Sequence, residues 1–143
     1  QPLSINQLQL SAAFTPGFAS GFHVNMEGDK AALRDGSIFE YCKLNDMVIQ
    51  AWSVLQFGYF KGNFVGNEKF QQLNQVLNRL ALKYGVSPSA IAIAWVLRYP
   101  AKMQAVVGTT NPKHLIEASQ ASHVNLTRKE WYEIYLAAGN DLP

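Results

Sequence analysis

The chain has a single cysteine, Cys42, in 143 residues. It cannot close an internal disulfide, which fits a reducing compartment and makes the cytoplasm the expected location. Charge is also scarce. Twelve Lys and Arg face ten Asp and Glu, for a net charge of +2 with 15% charged residues and no cationic run. Phosphate backbones are neutralised by clustered cations, so a nucleic-acid partner is not expected. No apolar run approaches the roughly 20 residues that span a bilayer, and no cationic stretch precedes an apolar one near the N-terminus, so no membrane role or secretory leader is expected. The chain opens on Gln1 without an initiator Met, and more polypeptide is expected ahead of it. No G-x-S-x-G, Walker or G-x-G-x-x-G pattern occurs. The three histidines, His23, His114 and His123, together with Cys42 lack metal-ligand spacing, so no metal site is expected and Cys42 reads as an inert thiol.

What is present is 48% apolar sequence, enough for one core. Leu3 to Ser11 alternates with period two and predicts a strand. From Ala12 to Asp35, Pro16, Gly17, Gly21 and Gly28 break every period and predict an irregular loop. Its Phe14, Phe18 and Phe22 would staple it to the body or line a pocket. Ser37 to Lys43 gives a weak helix with Asp35 or Gly36 near its start. Met47 to Leu55 is a mostly apolar run that predicts a strand buried on both faces. Gly58, Gly62 and Gly66 then mark a loop at that strand's C-terminal end.

Phe70, Leu73, Leu77, Leu80, Ala81 and Tyr84 keep helical spacing across Asn67 to Tyr84, and Gly85 is the stop. Ser87 and Pro88 open a helix over Ser89 to Arg98 that is apolar nearly all round and therefore needs cover on more than one side. Lys102 to Val107 predicts a third strand. Asn111 and Pro112 then cap and open a helix reaching about Ala121. Thr127 with Glu130 predicts a capping box for the last helix, which carries Trp131, Ile134, Tyr135 and Ala138 up to Gly139.

Strands that are each followed by helix predict parallel βα units in an α/β fold. Three strands cannot close a barrel, and an open parallel sheet leaves two exposed edges. A complete (β/α)8 barrel needs about 250 residues, so this chain has room for three units of one.

The segments Ser4 to Ser11 (SINQLQLS), Ala51 to Leu55 (AWSVL), Ser87 to Ala101 (SPSAIAIAWVLRYPA), Val106 to Pro112 (VVGTTNP) and Leu126 to Pro143 (LTRKEWYEIYLAAGNDLP) resemble, in order, the C-terminal half of the aldo-keto reductases. The branch they look like is the bacterial predicted oxidoreductases. The resemblance covers essentially the whole chain and implies a single partial domain over residues 1–143, strands six to eight of a TIM barrel with their helices. It implies binding of NADPH, with NADH possible, and reduction of a small carbonyl compound.

It also implies site residues. Gln7 would hold the nicotinamide carboxamide, although an amide in a strand can equally bond a neighbouring strand. Trp52 would stack on the nicotinamide ring, although an indole there is usually core. Ser53 and Leu55 would contact the phosphate bridge. Gly108, Thr109, Thr110, Asn111, Lys113 and His114 would carry the adenosine 2′-phosphate at a helix N-terminus, and Glu117 would contact adenine. His114 stands where many members have Arg, and Gly108 where some have Lys. An imidazole lacks the bidentate guanidinium fork, which leaves NADPH and NADH both open.

The family's Tyr, Lys, Asp and His come from earlier strands, and none of the six tyrosines here stands at the catalytic place. No catalytic residue is therefore assigned. The expected function is the cofactor-binding half of an NAD(P)H-dependent oxidoreductase acting on aldehydes or ketones, inactive alone. Its sheet edges would be covered by its N-terminal half or by self-association. The alternative is a non-catalytic half-barrel that binds nucleotide or serves as a regulatory or interaction module.

Overall fold

Three strands, β1 (Ile5–Gln9), β2 (Val48–Trp52) and β3 (Met103–Ala105), form one parallel sheet in chain order. This is seen in a computed structural model that describes residues 4–19, 37–58 and 61–142. Each strand is shorter at its ends than the sequence period suggests. Helix α1 (Pro16–Ala19) follows β1, and α2 (Ser37–Leu44) leads into β2. Helices α3 (Gln71–Tyr84) and α4 (Pro88–Leu97) cross from β2 to β3, and α5 (Pro112–Ser119) and α6 (Arg128–Ala137) complete the chain.

Local signals account for most boundaries. Gly85 adopts φ 67° after α3 and returns its N–H to Ala81, the left-handed stop that favours glycine. Ser87 and Asn111 cap α4 and α5 through their side chains, each with Pro at the first position. Thr127 and Glu130 form the expected capping box of α6. Gly58, Gly62 and Gly66 all have positive φ in the loop after β2.

Four expectations need correction. The helix expected from Asn67 starts as a 3-10 turn over Glu68–Phe70, because the Asn67 side chain accepts from the Lys69 N–H and delays the α-helix to Gln71. The helix expected to reach Ala121 ends at Ser119 and tightens into a 3-10 turn over Gln120–His123. The irregular loop after Ala12 contains α1, in which Phe18 is buried against Tyr99 at a ring distance of 4.9 Å. Phe22 and the rest of 20–36 lie outside the described residues, as do His23, Asp35, Gly36 and Tyr59.

The fourth correction concerns β2, which is not buried on both faces. Ile49 and Ala51 are fully buried, whereas Val48, Gln50 and Trp52 are half-buried. Helices cover the Ile49 side, where Asn6 also reaches Cys42 of α2. The other side carries the register row Gln7, Gln50 and Gln104, which stays open to solvent.

The α4 segment Ala90 to Val96 is buried throughout, as its apolar circumference requires. Trp95 stacks on Trp131 of α6 at 4.7 Å, and each indole N–H donates to the other residue's main-chain carbonyl at 3.0 Å. Tyr135 stacks beyond Trp131 at 5.6 Å. Such pairs add about 0.5–1.5 kcal/mol each to their area burial. Beside them, Glu130 is buried yet ionised. Burial pushes its carboxyl up, but hydrogen bonds from Lys83, from the Thr127 N–H and hydroxyl, and from Tyr84 outweigh that and hold it at about 2. This joins the end of α3 to the start of α6.

Candidate functional site

At the C-terminal ends of β2 and β3 the sheet gives way to a cleft of about 440 Å³. Five segments form its walls. The turn after β2 contributes Ser53, Val54, Leu55 and Gln56, and the following loop adds Asn63 and Val65. The stretch after β3 contributes Val106 to Thr109. Helix α4 presents Ser89 and Ile93, and α5 presents His114, Glu117 and Ala118.

The turn is shaped by Ser53, a non-glycine residue at φ 55°. That conformation is uncommon for a side chain with Cβ and is held here by two bonds. The Ser53 hydroxyl donates to the Gln56 side-chain carbonyl at 3.2 Å, and the Gln56 N–H returns to the Ser53 carbonyl at 2.9 Å. Buried Ser11 donates its hydroxyl to the Gln56 carbonyl at 2.5 Å, tying this turn to the end of β1. Gln56 also bridges Asn63 across the loop.

The α5 entry is equally preset. The Thr109 hydroxyl accepts the Asn111 N–H at 3.1 Å, and the Asn111 side chain accepts the Lys113 N–H at 3.0 Å. Thr110, Asn111 and Lys113 are exposed at the rim, and Lys113 enters no ion pair among the described residues. A helix end and the Thr109 hydroxyl thus border the cleft, with the exposed Lys113 ammonium next to them in the chain, groups that suit an anion.

Of the residues singled out in the sequence, Ser53, Leu55, Gly108, Thr109, His114 and Glu117 line one cleft. Thr110, Asn111 and Lys113 are next to it in the chain but do not line it. Gln7 and Trp52 do not line it either; both belong to the open face of the sheet. The Gln7 amide donates to Gln50 at 2.7 Å, the strand-to-strand bond that an in-strand amide can make. Sequence reasoning missed Gln56, Asn63 and Ser89. Their only signal is polar character in a turn or helix start, and tertiary packing alone brings them to one cleft. It also missed Gln9, whose buried Nε2 has no hydrogen-bond partner among the described residues.

The Tyr84, Lys83 and Glu130 cluster contains a tyrosine beside a lysine and a carboxylate, but its chemistry is wrong for proton donation. Burial pushes the Tyr84 phenol up from 10.0, and its hydrogen bond to Glu130 pushes it further. A proton donor for carbonyl chemistry needs the opposite shift. Among the described residues no group of His, Cys, Asp and Glu could hold a metal ion, and no single helix is long and apolar enough to cross a membrane.

The chain is 32% identical over 98% of its length to a 6-dehydroglucose reductase of Agrobacterium fabrum, covering 40% of that protein. It is 27% identical over 99% of its length to oxidoreductase YdhF of Escherichia coli, covering 41% of it. The chain therefore spans about two fifths of the curated relatives it matches. Among solved structures, a thermostable aldo-keto reductase crystallised with the inhibitor epalrestat superposes with a TM-score of 0.64 at 21% identity, over 96% of this chain and 40% of that one. Gox0644 crystallised with NADPH gives 0.58 at 17% identity, over 94% of this chain and 38% of that one. These two likenesses are of fold, and they make the three parallel βα units part of a (β/α)8 barrel. The family model for the aldo/keto reductase family matches residues 23–137, and the chain belongs to that family.

Proposed function

We propose that this chain is the cofactor-binding part of an NAD(P)H-dependent oxidoreductase that reduces aldehydes or ketones. The observation that carries the reading is the cleft at the strand ends, where Ser53 and Leu55 meet Gly108, Thr109, His114 and Glu117 from a stretch distant in sequence. In barrels of this kind the C-terminal ends of the strands form the working face. The dinucleotide, when bound, supplies hydride.

The chain's own residues bind and orient. Ser53 and Leu55 border the phosphate bridge. Thr109, Thr110, Asn111, Lys113 and His114 receive the 2′-phosphate at the start of α5, with Gly108 leaving the backbone accessible, and Glu117 meets adenine. On the open sheet face, Gln7 accepts from the nicotinamide carboxamide and Trp52 stacks on its ring. The proton that completes carbonyl reduction is assigned to a polypeptide segment outside these 143 residues. The same segment, or a second copy, covers the edges of β1 and β3. The cleft lining favours one other reading, nucleotide binding without turnover, since among the described residues it contains no tyrosine or lysine.

Both readings are tested by titrating the protein at its native cellular length with NADPH and with NADH, following tryptophan fluorescence. The expected result is NADPH binding weakened about tenfold when Thr109→Ala and Lys113→Ala are combined. Binding of neither dinucleotide, or affinity untouched by that pair, overturns both. Binding without reduction of any aldehyde or ketone selects the second.

A further inference from the structure

Gln7, Gln50 and Gln104 occupy one register row across all three strands, on the sheet face that no helix covers. Their amides form a directional chain. Gln7 Nε2 donates to Gln50 Oε1 at 2.7 Å, and Gln50 Nε2 donates to Gln104 Oε1 at 2.8 Å. Every carboxamide dipole therefore points the same way, and the chain ends at Gln7 with a carbonyl oxygen that accepts from no described residue.

We infer that Gln50 is a positioning residue, which holds the Gln7 amide with its carbonyl oxygen free to accept a hydrogen bond from the cofactor's carboxamide N–H. The inference rests on the placement of Gln7 given under Proposed function. Its physical basis is the cost of the alternative. Turning the Gln7 amide over alone would set its carbonyl oxygen against the Gln50 carbonyl oxygen, two acceptors with no hydrogen between them. Reversal then requires all three amides to turn together. Aligned amides also polarise one another, which strengthens the acceptor at the end of the chain. One step further along the same face, Gln9 Nε2 is buried and lacks a partner among the described residues. A lone Gln7 amide turns independently, whereas in the ladder reversal is concerted, and in the arrangement seen the ladder presents oxygen.

The test compares NADPH with its 3-acetylpyridine analogue, which keeps the ring carbonyl but has a methyl group in place of the NH2. Dissociation constants are measured by titration calorimetry on the protein at its native cellular length. A melting curve for each variant confirms that it is folded. Wild type is expected to prefer NADPH by about fivefold to tenfold, the worth of one well-oriented hydrogen bond. Gln50→Leu removes the acceptor for the Gln7 NH2 and is expected to bring the preference below about twofold. Gln50→Glu keeps that acceptor and should restore the preference, which a merely structural role for Gln50 would not do. If Gln7→Leu abolishes the preference but Gln50→Leu retains it, the ladder has no positioning role and the reading of Gln7 stands. If Gln50→Glu behaves as Gln50→Leu does, orientation by Gln50 is overturned. If wild type shows no preference and Gln7→Leu binds NADPH unchanged, the placement of the cofactor at Gln7 fails, and this inference fails with it.

Discussion

Glu130 and Gln7 are polar side chains placed on opposite sides of the molecule's layers, and they are treated in opposite ways. Glu130, between the end of α3 and the start of α6, has both oxygens engaged by Lys83, Tyr84 and Thr127. Gln7, on the uncovered sheet face, keeps an oxygen with no described donor, and Gln9 on the same face keeps an unpartnered nitrogen. A buried group with every valence filled contributes stability and specificity of packing. A buried group without a partner, as Gln9 Nε2 is among the described residues, costs stability, whereas the Gln7 oxygen is open to solvent and free to exchange water for another donor. The helical wall is thus the region that folds the chain, and the sheet face with its adjoining cleft is the region equipped to bind.

The largest break in that comparison should come from Trp131→Ala, which removes the stack on Trp95 and one of the two reciprocal indole bonds. The expected loss is about 3–5 kcal/mol, read from chemical denaturation. A loss under about 1 kcal/mol would mean that the wall is not the main source of stability.

Next is the pH dependence of Glu130. Its folded value of about 2 lies below the ordinary 4.5, so its contribution is present above pH 4.5 and disappears as pH falls towards 2. Lys83 gives the opposite limb. Its hydrogen bond to Glu130 raises it above 10.5, so that contribution is present below 10.5 and disappears as pH rises through the raised value. Glu130→Gln should therefore cost about 2 kcal/mol at pH 7, and the gap to wild type should close in acid. A gap that persists at pH 2 would assign the effect to packing instead of charge.

On the binding side, His114→Arg places a guanidinium on the cleft wall. It should strengthen NADPH binding about tenfold and leave NADH unchanged, as measured by fluorescence titration. Equal effects on the two dinucleotides would move the 2′-phosphate away from α5. The smallest effect on stability is expected from Gln104→Leu, on the open face, within about 0.5 kcal/mol by melting. A larger loss would show that the amide ladder belongs to the folding core.

How much of this was legible in the sequence depends on how local its cause is. Caps and stops were readable because they act within one turn. Ser87, Asn111, Thr127 with Glu130, and Gly85 each mark the boundary they predict. The apolar circumference of α4 announced its burial. Ser53, Leu55 and the Gly108 to Glu117 stretch were found through the family resemblance, and six of those positions meet in one cleft. Gln56, Asn63 and Ser89 were not found, because a polar residue in a turn or a first helical turn has a sufficient local reason to be there.

The sequence by itself determined the order of the elements apart from α1, the helix ends marked by Gly85, Ser87, Asn111 and Thr127, the parallel βα rhythm and the candidate anion turn before α5, since periodicity and capping are short-range effects. Only the tertiary structure decided that β2 has one covered face and one open face. It also decided that Trp95 and Trp131, 36 positions apart, share reciprocal bonds, and that three glutamines from three strands form one directed chain. Strand register sets these relations. Register follows from long-range packing of whole helices on the sheet, which no local pattern of residues contains.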